Sequence, residues 1–138
     1  MPNFGSWTPW AARFDVKGRE CPGVYLMGRF DSTPPSIVEP ISARVIYIGE
    51  TCQQSLTKRW YQFHRSAFER KGGHSGGLTF CDLHRNAAGG ATVPWLYVTA
   101  LPVKGNEPRR SAYIRFIERW LLLQYVEKFG VLPPCNSK

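Results

Sequence analysis

Apolar and polar positions alternate along residues 23–30, with Val24 and Leu26 on one face and Tyr25 and Met27 on the other. That period of two predicts a strand. Asp31-Ser32-Thr33-Pro34-Pro35 ends the run, because proline fixes φ and removes a ladder donor, and Pro40 keeps the connection irregular. A second alternation over residues 44–49 places Val45 and Tyr47 on one face and Ile46 and Ile48 on the other. No helical period lies between the two runs, so an antiparallel hairpin is the simplest pairing. The period then changes. Leu56, Trp60, Phe63 and Ala67 recur at helical spacing and predict a helix over about 54–70, ended by Gly72-Gly73. Residues 71–92 are glycine-rich and carry no clear period. Residues 93–103 read as a third strand with Pro94 at its start or edge. Ile114, Ile117, Leu121 and Tyr125 predict a second helix over 111–129, capped by Gly130 and followed by Pro133-Pro134.

The expected fold is therefore α+β: a three-stranded, mainly antiparallel sheet flanked by helices, in the order β-β-α-β-α. A chain of 138 residues suits one domain with one core. Residues 1–21 are irregular, aromatic and basic and read as an arm, and 31–43 as a loop inserted in the hairpin.

Composition narrows the function. The chain is 43% hydrophobic, which supports a folded protein, and no apolar run approaches membrane-spanning length. The amino terminus lacks the basic-then-apolar layout of a secretory signal, so the expected compartment is cytoplasmic. A formal charge of +8 points to a polyanionic partner. Cys21, Cys52, Cys81 and Cys135 have no disulfide-framework spacing and read as reduced thiols. His74, Cys81 and His84 supply three possible zinc ligands but no evident fourth, so a zinc site is disfavoured.

Glu118 is the sharpest chemical clue. It follows Ile114 by four residues and precedes Leu121 by three, so it projects from within an apolar stripe. A carboxylate there is costly unless it is paired or binds a cation. Arg115 and Arg119 offer the alternative of drawing it onto a solvated flank. Arg59 sits about 60° from Leu56 around the first helix, either as a solvated cation or as a guanidinium for phosphate. Tyr25 and Tyr47 lie on adjacent strands, and a phenol serves as a base at neutral pH only with positive charge nearby. Arg59, Lys58 and a bound metal are candidates to provide that charge.

Gly23-Val24-Tyr25, Tyr47-Ile48-Gly49, Arg59, Glu118 and Asn136, in that order, resemble the GIY-YIG nuclease family, and the resemblance spans residues 23–136. It implies metal-dependent DNA cleavage with one Mg²⁺ (or Mn²⁺) per site held by Glu118. Arg59 would clamp the phosphate, Tyr25 or Tyr47 would act on the attacking water, and Asn136 would brace the site. Tyr25 is the favoured base by analogy with the compact restriction enzymes of the family. Members often carry a histidine one turn after the arginine. Here Phe63 occupies that place, and His64 and His74 are the candidates. Lys58, Arg65 and His74 are expected to contact substrate. The tripeptides are separated by 21 residues, about twice the family's usual interval, so the 31–43 loop is expected to touch DNA. A chain of this length is expected to leave no room for a separate DNA-binding domain, so grip on the substrate is expected from the core, the 1–21 arm and the 31–43 loop, or from a homodimer or a protein partner that supplies specificity. Two other classes fit the composition: a non-catalytic nucleic-acid-binding module, and an interaction domain using Trp7, Trp10 and Trp95 as a sticky surface.

Overall fold

The computed structural model describes residues 2–69, 71–74, 76, 77, 80 and 93–137. Its hairpin strands are β2 (Gly23–Arg29) and β3 (Val45–Thr51), which pair antiparallel. Helix α1 spans Leu56–Phe68, and the strand after it, β4, spans Leu96–Pro102. Helix α2 covers Arg109–Phe129. The class is α+β, as expected, but the sheet has four strands instead of three. Its order is β1-β4-β2-β3, with β1 the two-residue strand Thr8–Pro9 paired antiparallel to β4.

The amino-terminal residues are thus built into the domain and do not hang from it as an arm. Gly5 N–H donates to the Ala100 carbonyl at 3.1 Å. A 3₁₀ helix, Trp10–Asp15, follows β1 and delivers Trp10 fully buried into the core. Burying an indole of that size accounts for the docking of an otherwise irregular segment.

The helices sit on opposite faces of the sheet. Leu56, Trp60, Phe63 and Ala67 of α1 pack with Tyr25, Met27 and Val98. Ile114, Ile117, Leu121 and Tyr125 of α2 pack with Val24, Leu26, Val45 and Ile48. Ser55 starts α1 by accepting the Lys58 N–H at 3.1 Å. Gly130 ends α2 in the left-handed region that glycine enters at little cost, with φ 77°.

One face assignment needs correction. Met27 pairs with Tyr47, but Gly28 pairs with Val45, so Ile46 is an extra residue in β3. This β-bulge breaks the strict alternation. Tyr47 consequently lies on the α1 face with Tyr25, while Val45 lies on the α2 face. Strand β3 is an edge, and the carboxyl-terminal tail covers it. Cys135 N–H donates to the Ile46 carbonyl at 2.8 Å. The Asn136 side chain accepts the Ile48 N–H at 2.9 Å through Oδ1 and donates to the Ile48 carbonyl at 2.9 Å through Nδ2. One amide thereby satisfies both outward groups of an edge residue, as a neighbouring strand would.

Candidate active site

A cleft of about 440 Å³ opens at the β3 edge, lined by Tyr47, Glu50, Arg59, Arg115, Glu118, Arg119, Asn136 and Ser137. Both faces of the sheet contribute. Tyr47 and Arg59 come from the α1 side, Glu50 and Glu118 from the α2 side, and the terminal tail closes the end.

Two glycines permit the aromatic packing behind this cleft. A Cβ on Gly49 would lie 2.6 Å from both Tyr25 Cζ and Tyr47 Cε2. One on Gly76 would lie 2.4 Å from Tyr47 Cε1. The last residue of the second tripeptide therefore has a steric reason to be glycine: the two phenol rings, 5.9 Å apart between centroids, cross its α-carbon.

Behind Tyr47 runs a directed chain of hydrogen bonds. Gly77 N–H donates to His74 Nδ1 at 3.1 Å, which fixes the neutral ring's proton on Nε2. Nε2 lies 3.1 Å from the Tyr25 hydroxyl, so in this tautomer the imidazole donates to Tyr25. With an acceptor site filled by His74, the Tyr25 hydroxyl keeps its own proton to donate, and its ring lies 5.9 Å from that of Tyr47 between centroids. His74 is further fixed by its own N–H, which donates to Ser66 Oγ at 3.1 Å.

Burial controls the ionisation of these groups. It pushes Tyr25 well above the usual phenol value and Tyr47 up to about 12, with the Arg59 charge opposing both. Burial first, and Arg59 second, push His74 down to about 3. Burial, reinforced by the neighbouring Glu50 carboxylate and opposed by Arg119, lifts Glu118 to about 7. At neutral pH the relay is uncharged, Arg59 is the cation beside it, and Glu118 is poised between its acid and its carboxylate.

Arg59 is held without being saturated. Its Nη1 donates to Gln62 Oε1 at 2.9 Å, whereas its buried Nε has no hydrogen-bond partner among the described residues. The same side chain lines a second cleft of about 250 Å³ with Gln62, Arg65, Lys71, Gly72, Gly73 and His74. One guanidinium therefore joins a carboxylate-bearing cleft to a basic one.

The other expected residues are dispersed. His64 accepts the Trp10 Nε1–H at 3.1 Å through Nδ1 and lines neither cleft. Lys58 is exposed and also lines neither. Tyr25 is fully buried and reaches the cleft only through Tyr47. The 31–43 loop joins the opposite ends of β2 and β3 from those bearing Gly23 and Thr51, and contributes nothing to either cleft. Cys81 and His84 lie outside the described residues, while His74 engages both ring nitrogens within the protein.

Glu50, Arg115 and Arg119 escaped the sequence reading as site groups. The signal available for Glu50 was its position directly after Tyr47-Ile48-Gly49. Its carboxylate is oriented by the Cys52 thiol, which donates to Oε2 at 2.9 Å. Among the described residues no group of three or more His, Cys, Asp or Glu side chains is placed to hold a metal. The pair of acids that is present nonetheless fits a magnesium-like ion. Such an ion commonly takes one or two carboxylates and fills its remaining positions with water and substrate phosphate. The raised pKa of Glu118 marks unfavourable negative charge that a cation would relieve.

No family model, curated protein or solved structure matches the chain. No helix among the described residues is long and apolar enough to cross a membrane.

Proposed function

We propose that this chain is a metal-dependent DNA endonuclease of GIY-YIG type that hydrolyses phosphodiester bonds. The observation that carries the reading is a single cleft holding two acids, Glu118 and Glu50, against Arg59 and Tyr47. A packing cluster has no use for that set, whereas phosphodiester hydrolysis uses each member.

Glu118, with Glu50 beside it, would hold one Mg²⁺ or Mn²⁺, which when bound supplies Lewis-acid polarisation of the phosphate and its leaving oxygen. Arg59 binds the scissile phosphate through the guanidinium hydrogens that Gln62 leaves open, and stabilises charge that grows in the transition state. Tyr47, the only phenol lining the cleft among the described residues, orients the attacking water; as the phenolate, formed by loss of its proton to solvent in the cleft against a pKa raised to about 12, it takes the water's proton. Tyr25, whose ring packs against that of Tyr47, would support the phenolate oxygen by donating to it, with His74 holding Tyr25 in that direction. The assignment of the base thus passes from Tyr25 to Tyr47 on grounds of access. Arg115 and Arg119 balance the acids and receive neighbouring phosphates. Arg65 and Lys71, in the second cleft, extend the phosphate path on the other side of Arg59.

A plasmid-nicking assay tests the reading. Supercoiled DNA is expected to convert to open-circle and linear forms in Mg²⁺ and to remain intact with chelator. Retarded mobility of the plasmid with no nicking in either Mg²⁺ or Mn²⁺ would instead favour a binding module.

A further inference from the structure

Helix α2 is apolar on two opposite sides. Its inner side fills the core with Ile114, Ile117, Leu121 and Tyr125. Its outer side carries Tyr113, Phe116, Trp120 and Leu123 at successive spacings of three, four and three residues. Tyr113 is 40% exposed, Phe116 63% and Leu123 52%, while Trp120 is half-buried and packs partly against the α2-side core. The outer face of a surface helix is ordinarily polar, and an aromatic stripe left in water marks an association surface.

A stripe spaced three, four and three is symmetric about its middle, as any such helical seam is, so the spacing permits a second copy and the charges at its ends select one. Phe116 and Trp120 are equidistant from position 118, as are Tyr113 and Leu123. Reversing the helix end for end therefore places Phe116 against Trp120 and Tyr113 against Leu123. The same reversal sets Ala112 opposite Gln124 and, at the rim, Arg109 opposite Glu127. Arg109 and Glu127 are both exposed, and neither forms an ion pair with another described residue. An isologous two-fold interface needs this property: residue i meets residue j while j meets i. The opposite charges of Arg109 and Glu127 about that same centre favour a second copy over an unrelated partner.

We propose that the chain forms a two-fold homodimer by antiparallel packing of its α2 helices through Tyr113, Phe116, Trp120 and Leu123, with reciprocal Arg109–Glu127 pairs at the ends. The helix is about 31 Å long, so all these contacts fit along one seam. At about 100° per residue, Phe116 and Trp120 project about 160° away from Glu118. The seam therefore lies on the side of α2 opposite Glu118, while Arg119, which also lines the cleft, projects about 60° from Phe116 and borders the seam. This proposal does not depend on the catalytic reading.

Sedimentation velocity of the full chain is expected to give twice the 15.7 kDa chain mass at high micromolar concentration. Phe116→Asp, at an exposed position that leaves the core untouched, is expected to sediment as a single chain with an unchanged circular dichroism spectrum. Arg109→Glu should weaken dimerisation roughly three- to tenfold, as expected for two rim ion pairs turned repulsive. Adding Glu127→Arg to Arg109→Glu should restore it. A wild-type protein that stays single-chain overturns the proposal, including the case in which the stripe captures a different protein. A Phe116→Asp variant that still dimerises, or a double charge reversal that recovers nothing, overturns it equally.

Discussion

Replacing Glu118 by Gln should stabilise the metal-free protein at alkaline pH. The folded environment lifts this carboxyl from 4.5 to about 7, chiefly through burial and then through Glu50. A carboxyl whose pKa rises on folding binds its proton more tightly in the folded state. Stability is therefore highest below about pH 4.5, falls as pH rises from there to about 7, and stays lowered above that. The rise corresponds to at most about 3.4 kcal/mol. The side chain is only partly buried, and screening by water reduces this to roughly 1–2 kcal/mol. For a domain of this size that is a melting-temperature difference of roughly 3–8 °C. Thermal melts of wild type and Glu118→Gln in chelator at pH 8.5 and pH 4.5 provide the assay. The variant should melt higher at pH 8.5, and the two should converge at pH 4.5, where both carry a neutral group. His74 titrates alike in both proteins and cancels in the difference. Mg²⁺ should raise the wild-type melting temperature at pH 8.5, by an amount that grows with its concentration, and should leave the variant unmoved. A variant that melts lower than wild type at pH 8.5 in chelator would refute the reasoning, since the carboxylate would then be stabilised in place by Arg119.

His74, held neutral with a pKa near 3 against an ordinary 6.5, contributes stability that is complete above about pH 6.5 and is lost as pH falls toward 3. In urea unfolding, lowering the pH from 7 to 5 should shift wild-type stability downward relative to His74→Gln, the opposite contribution of Glu118 cancelling between the two, and identical pH responses would count against it. Gly49→Ala should cost about 1–3 kcal/mol by forcing the two phenol rings apart, and an unchanged melting temperature would contradict that packing argument. Tyr47→Phe should lower the cleavage rate by about 10²–10⁴ and change the pH–rate profile, while Tyr25→Phe should cost less. The reverse ranking would return the base assignment to Tyr25.

The elements with strong periodicity were legible in the sequence. The α1 stripe of Leu56, Trp60, Phe63 and Ala67 is buried as its spacing predicts, and α2 ends at Gly130. Strand β1 was not legible, because two residues cannot display a period, and only the burial of Trp10 reveals why the segment docks. The bulge at Ile46 was invisible for a related reason: one extra residue leaves a local pattern that still alternates, and only the register with β2 exposes the shift. Glu118 and Arg59 stood out because each departs from an apolar stripe. Glu50 did not, since an acid at a strand end ordinarily faces water. The partner of His64 lies 54 residues away at Trp10, and no local pattern predicts a bond across that separation.

The central claim, that Glu118 serves a metal-dependent cleavage site, is tested most directly by the single-turnover cleavage rate of Glu118→Gln at saturating DNA in Mg²⁺, with folding verified by circular dichroism. Saturation removes differences in affinity, so the rate reports chemistry alone. The account predicts a folded variant that binds DNA and no longer cleaves it. A variant that cleaves at the wild-type rate would contradict it.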